Sequence, residues 1–455
     1  MLHRPYPLSR RNFLMASASA ALLSACATRT DPPEEIPAYT PSMASLLAAQ
    51  AVPIRSLKPD DPGVMALARR LAGAKMAGLG EATHGSLEDA LLKSALVQTL
   101  VERHGLRVLL LEANRTGTAR LDAYASAEPT GLLAAEALKE APVFRILKTE
   151  IMADLLAWLR GWNAVNADRP VRVLGVDCQA SSQDAADALA ALAAVDSGAA
   201  EALSPGLAPI LSEEARAVRH DLMLKQLTSA QRAEAETACR TLEAELTAAG
   251  LIEAAFAARL AWQGLNAFAY ETSDGDMSLA TPDYWSRRDV FMGENALTLS
   301  AGQQAVFWGH NMHVLGGRPS GDAAGFVPAG AILREALGAG YTALVQDFGE
   351  AQFLAYADGE DVSPDAPQIE IRRTARQGTL NALLAEASPR TAWFDLATLP
   401  DNTIVQSWRA EPLGYDWYGA RASASPLDSD IRRAPPQQLI DLMVFHPVLT
   451  PQKML

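Results

Sequence analysis

The 455-residue chain holds only three cysteines, Cys26, Cys178 and Cys239, with no CxxC pair and no zinc-ribbon spacing. That excludes a disulfide scaffold and a structural zinc site of the usual spacing. Spacing alone does not show whether Cys178 and Cys239 meet. Basic residues are in deficit, 39 Lys and Arg against 53 Asp and Glu. Nucleic-acid binding rests on neutralising phosphates with Lys and Arg, so no nucleic-acid partner is expected. No GxSxG elbow, no GxxxxGK[ST] phosphate loop and no dinucleotide fingerprint occurs. After the N-terminus, no apolar run approaches the roughly 20 residues that a membrane-spanning helix needs.

The N-terminus itself is a distinct object. "LSRRNFLMASASAALLSAC" carries Arg10 and Arg11 before an apolar run and ends at Cys26. It reads as a twin-arginine export signal over residues 1–26, closed by a lipobox whose lipidated cysteine is Cys26. Residues 27–45, with "TRTDPPEEIPAYTPS", read as a flexible tether. The expectation is a chain hung by a lipid from a bacterial membrane, facing the periplasm or exterior. Cleavage would remove the three arginines of residues 1–25 and no acid, taking the formal charge from −14 to −17.

From residue 46 to 455 the composition is that of a globular body, and short apolar runs alternate with helical patterns. This predicts an α/β fold with a central, mostly parallel sheet and flanking helices. Candidate strands are 75–80, 107–112, 171–177, 305–310, 341–348 and 440–446. "SLEDALLKSALVQTLVERHG" (86–105) predicts a helix with a glycine stop, and 149–166 a second amphipathic helix. The Ala-, Leu- and Glu-rich stretch 183–272 reads as a helical insertion, and the polar stretch 355–390 as edge strands and loops.

Ionisable residues collect where these strands end: Glu81 and His84 after the first, Glu112, Asp177 and His310 at the ends of three others. Ligands of open α/β sheets bind outside the carboxyl ends of the strands, so these groups converge if the strands are neighbours. Three of the six histidines beyond the signal fall in two motifs, "GEATHG" and "WGHNMH". His104, His220 and His446 are taken as structural. A histidine flanked by carboxylates takes a proton from water, and a second histidine polarises a carbonyl or stabilises an oxyanion. Three histidines with two or three carboxylates equally suit a divalent metal, and spacing leaves both chemistries open.

The ordered set "GEATHG", "LLLEAN", "LGVD", "RRDVFMGEN" and "WGHNMH", with "IDLMVFHPVLTP" at the close, resembles the erythromycin esterase family from about residue 50 onward. The resemblance implies hydrolysis of an ester, in that family a macrolide lactone, by a histidine-activated water without a covalent intermediate. Matched position by position, it makes His84 the general base and Glu81 the residue that positions the base or the water. Glu112, His310 and His313 complete the catalytic set. Asp177 and Arg288 join the substrate-binding side, with Asp289 and Asn295 supporting from behind. Where resistance esterases of the family carry an arginine, nine residues after His84, this chain has Lys93, which keeps the charge and loses the planar fork. No cofactor is implied. The contrasting reading is a lipoprotein that binds a metal or haem through His310, His313 and carboxylates.

Overall fold

A computed structural model describes residues 42–126, 131–267, 272–275, 284–321, 324–358 and 366–455. The export signal, Cys26 and tether residues 27–41 lie outside the described residues. Residues 42–45, read as the end of the tether, are already folded: Ser42 caps the helix Met43–Ala48. No described helix is long and apolar enough to cross a membrane.

The described residues form twelve strands: β1 (Val52–Pro53), β2 (Met76–Leu79), β3 (Val108–Asn114), β4 (Arg172–Asp177), β5 (Ala305–Trp308), β6 (Tyr341–Ala357), β7 (Ile369–Thr374), β8 (Ala392–Asp395), β9 (Leu413–Tyr415), β10 (Arg421–Ala422), β11 (Arg432–Ala434) and β12 (Leu442–Leu449). Ten of them make one sheet of order β1-β8-β12-β6-β2-β5-β3-β4, with β7 and β10 also on β6, and β9 pairs separately with β11. The six strands expected from the sequence are the six parallel neighbours β12, β6, β2, β5, β3 and β4. The sheet is thus mixed and mostly parallel: β8 and β7 run against the core, and β1, antiparallel to β8, runs with it.

Parallel strands covered on both faces read as continuous apolar runs. β2, β3 and β5 are buried along their whole length. Alternate residues point to opposite faces. Met76, Val108 and Leu110 enter one apolar cluster, while Ala77, Leu79, Leu109 and Leu111 enter the other. The helix Leu87–His104 crosses from β2 towards β3, with Glu88 and Asp89 in its first turn, where they favour the helix dipole, and Gly105 at φ 79° ending it. Thr149 caps the helix Glu150–Val165 by accepting from the Met152 amide.

Between β4 and β5 the chain forms helices that include Ser181–Ala193, Ser197–Leu211, Ser229–Ala248 and Ile252–Ala267. They close around a third apolar cluster of their own, in which Cys178 and Cys239 are both buried free thiols. Two elements differ from expectation. β6 runs nine residues past its expected end at 348, and the polar stretch 355–390 contains, beside the edge strand β7, the helix Leu380–Ala387.

Chain order sets where a site forms. β2 is followed by β3 and β4 on one side, and β5 then returns to fill the slot between β2 and β3. The direction of winding changes there, and ligands bind at the carboxyl ends of strands at such a switch point. The strand–loop junction is tight: a Cβ on Gly80 would lie 2.2 Å from Asn311 Oδ1 and 2.9 Å from the Leu344 carbonyl oxygen. Gly80→Ala should therefore cost about 1–3 kcal/mol of unfolding free energy through overpacking. Urea denaturation checks this, and an unchanged midpoint would contradict the packing described.

Candidate active site

The turn after β2 carries Glu81 and His84 side by side. Asp89, on the next helix, closes this turn by accepting from the Ala82 amide at 3.0 Å and the Ser86 hydroxyl at 2.6 Å. His84 Nδ1 lies 2.6 Å from Glu81 Oε1. The other Glu81 oxygen accepts from Lys93 Nζ. Lys93 is fully buried, stands 4.4 Å from the Trp308 ring centroid, and reaches the Gly309 carbonyl at 3.4 Å. Burial alone would raise the Glu81 carboxyl, but the Lys93 ammonium and His84 overcome it and bring its pKa down to about 2. An ionised Glu81 fixes the His84 proton on Nδ1 and leaves Nε2 as the basic nitrogen.

Glu112 reaches the site through an irregularity of its strand. Leu111 pairs with Gly175 and Asn114 with Asp177, so β3 holds one residue more than β4 across this interval. Such a bulge re-aims side chains. Glu112 Oε2 accepts from the His310 amide at 3.0 Å, and Oε1 accepts from Arg288 Nη2 at 3.1 Å and His313 Nε2 at 3.0 Å. Burial opposes its charge, but His313 and Arg288 hold the carboxyl well below its ordinary range.

Arg288 and Asp289 come from the helix Tyr284–Ser300. Arg288 donates to both Asp177 oxygens, at 3.1 and 2.7 Å. Asp289 lies 2.7 Å from His313 Nδ1. Both ring nitrogens of His313 thus face carboxylates; burial alone would lower its pKa, but Asp289 and Glu112 raise it to about 10. His313 is an imidazolium. Asn295, on the same helix, donates to the Val176 carbonyl and to Gln263, each at 2.9 Å.

His310 is the opposite case. Its Nδ1 accepts from the Met312 amide at 3.3 Å, as the cap of the short helix Asn311–Val314, so the ring proton sits on Nε2. That Nε2 is buried without a partner. Burial first, then His84 and His313, lower its pKa to about 3, which keeps the ring neutral. The His84 and His310 ring centroids are 5.0 Å apart.

All eight expected residues therefore gather in one cluster. Glu81 and Glu112 also line a narrow cleft with about 20 Å³ of room, whose apolar wall includes Ile146, Leu147, Met152 and Trp308. Lys93, Asp177 and Arg288, expected on the substrate-binding side, have their charges turned to one another's neighbours: Lys93 to Glu81, and Arg288 to Asp177 and Glu112. The set does not fit a metal. Both nitrogens of His313 are taken by carboxylates, and among the described residues no three His, Cys, Asp or Glu side chains are grouped to hold an ion. The cleft-lining residues Ile146, Leu147, Met152 and Gln452 lay outside the sequence reading. His446, taken as structural, is buried on β12 and bonds Gln346 at 2.9 Å.

A mostly parallel α/β sheet with a histidine and carboxylate centre at its switch point defines the class: an α/β protein with the groups for acid–base chemistry at the sheet's carboxyl edge. The family model for erythromycin esterase matches residues 101–448, and the chain belongs to that family. Membership places it among hydrolases. Glu81, His84 and Lys93 precede the matched segment. A protein of Bacillus cereus shares the fold at 21% identity and TM-score 0.73, covering 90% of this chain and 98% of its own. A succinoglycan biosynthesis protein does so at 16% identity and TM-score 0.72, covering 90% and 97%. An erythromycin esterase mutant, EreC, in its open conformation, does so at 18% identity and TM-score 0.62, covering 84% and 93%. No curated protein sequence matches the chain.

The His313 assignment has a pH signature. A histidine with a raised folded pKa contributes stability that is complete below its ordinary value of 6.5 and is lost as pH rises through 10. Replacing it leaves buried Asp289 without its cation and Glu112 with Arg288 alone, so His313→Asn should lose about 3–5 kcal/mol below neutral pH. Urea denaturation of both proteins across this window should show the gap narrowing towards pH 10. A gap that widens instead would show His313 to be neutral.

Proposed function

We propose that the protein hydrolyses a carboxylic ester, a lactone among the candidates, with a water activated by His84. The observation that carries this reading is the pairing of a part-buried and a buried histidine held in opposite roles. His84 has its Nδ1 proton on ionised Glu81 and a basic Nε2. His310 is neutral with an unpartnered Nε2–H.

In the proposed reaction the water oxygen bonds to the acyl carbon while its proton passes to His84 Nε2. The carbonyl electrons move onto oxygen, where the His310 Nε2–H donates to the developing oxyanion. Collapse breaks the bond to the alkoxide, which takes the proton back from His84 and leaves as an alcohol, with a carboxylic acid as the other product. Glu81 holds the imidazole and stabilises its charged form, while Lys93 keeps Glu81 ionised. Glu112 fixes the backbone of His310 and, with Asp289, the ring of His313. Asp177 and Arg288 hold Glu112 in place.

The macrolide lactone of the family is one substrate proposed. Lys93 weighs on that choice less than its exposure in a cleft would, since its ammonium is spent on Glu81. The "SRRNFL" and "LSAC" motifs support export and lipidation at Cys26 as part of the same reading.

His84→Ala should lower kcat by at least about 10²–10⁴-fold, the usual worth of a general base. His310→Gln should lower it by about 10²–10³-fold, the worth of an oxyanion donor. A panel of macrolides and simple esters, with and without EDTA, measures both, with activity expected to survive the chelator. Turnover by His84→Ala at the wild-type rate would end this mechanism.

A further inference from the structure

The segment after β12 is pinned on both sides. Its Gln452 amide donates to the Gly85 carbonyl at 2.9 Å, and the Leu87 amide to the Thr450 carbonyl at 2.7 Å. On the other side the Glu150 amide reaches the Lys453 carbonyl at 3.1 Å, and the Leu455 amide reaches Lys148 at 3.0 Å. Thr450 is held further by Glu88, whose carboxylate accepts its amide at 2.6 Å and its hydroxyl at 2.7 Å. Gln452 therefore sits fixed between the His84 turn and the residues that begin the helix Glu150–Val165, and it lines the cleft with Glu81 and Glu112.

Its side chain is oriented by chemistry. Nε2 donates to the His84 carbonyl at 2.9 Å, and an oxygen turned that way would face another oxygen. The amide oxygen Oε1 is left buried with no partner, in a residue 6% exposed. A buried acceptor without a donor is costly, and native structures seldom leave one unmade. The other polar groups of the lining that carry charge are acceptors, Glu81 and Glu112, and the cations behind them, Lys93, Arg288 and His313, are engaged with carboxylates.

We infer that Gln452 is a substrate-contacting, specificity-determining residue, whose Oε1 accepts from a hydroxyl or N–H on a neutral or cationic ester. This rests on the hydrolase reading and narrows it. Anionic esters meet two carboxylates and an amide oxygen in the cleft, and an ester lacking a donor leaves Oε1 unsatisfied.

The test compares two probes that differ by one hydroxyl, p-nitrophenyl 3-hydroxybutyrate and p-nitrophenyl butyrate, with the full chain. The wild type should favour the hydroxylated ester in kcat/KM by about fivefold to tenfold, the worth of one neutral hydrogen bond. Gln452→Met, of similar length, should lose that ratio. Gln452→Glu keeps an acceptor and should keep the ratio while its kcat falls on both esters, because the tie to the His84 carbonyl is gone. No preference in the wild type, the same ratio in Gln452→Met, or its loss in Gln452→Glu would each overturn the assignment. If neither ester is turned over, the binding of the matching ethyl esters to the His84→Ala chain, followed by NMR, gives the same comparison in Kd. In that outcome the Kd ratio decides Gln452 separately from the hydrolase reading, which the wider panel of macrolides and esters decides.

Discussion

The buried pair of Glu81 and Lys93 is the constraint on which the centre depends. A carboxylate taken out of water ordinarily protonates, and a lone buried ammonium ordinarily loses its proton. Placed against each other, with Trp308 beneath the ammonium, they stay charged, and the carboxylate is then available to orient His84. The neighbouring charges follow the same logic. Arg288 offsets Asp177 and Glu112, and His313 offsets Glu112 and Asp289. Each ion is compensated by a partner, and removing one strands the others in low dielectric. His310 alone sits among them neutral and unpaired, which is the condition for donating to a charge that appears only during reaction.

The backbone sets these distances before the side chains do. The Asn311 amide donates to the Glu81 carbonyl at 3.0 Å, so the loops after β2 and β5 are stitched together directly. Behind them Gln346 exchanges hydrogen bonds with Asn311 and donates to the Gly80 carbonyl at 2.8 Å, tying both loops to β6. His446 steadies Gln346 from β12. The acid–base groups thus stand on four strands that share one polar interior seam.

The parallel core was legible because doubly covered strands must be uninterrupted apolar runs, and "KMAGLG", "RVLLLE" and "AVFWGH" are such runs. The site was legible for a related reason: Glu81, Glu112, Asp177 and His310 are the ionisable residues that break those runs at their carboxyl ends. β8 was not, since "AWFD" has four residues with no period to read. β6 was cut short at Phe348 because "DFGE" looks like a turn, although Asp347 is buried and answered by the Phe348 amide and Trp417. Lys93 reads on a helical wheel as any helix lysine; only the tertiary structure shows its burial. The cleft wall at Ile146, Leu147 and Met152 and the acceptor of Gln452 come from segments some 60 and 370 residues beyond His84, whose meeting no local pattern announces.

The slot that β5 occupies has a kinetic meaning. β2 and β3 are separated by a single connection, yet they must not zip together, because the strand that belongs between them is drawn from residues 305–308. Closing that pairing requires a loop of nearly two hundred residues, with β4 and the helices of 181–267 folded inside it. Contacts of such separation form slowly. Until β5 arrives, its two neighbours present unpaired backbone edges that invite each other or another chain. The arrangement that brings His310 to His84 therefore carries the closure entropy of a long loop, which has to be met before the centre can form.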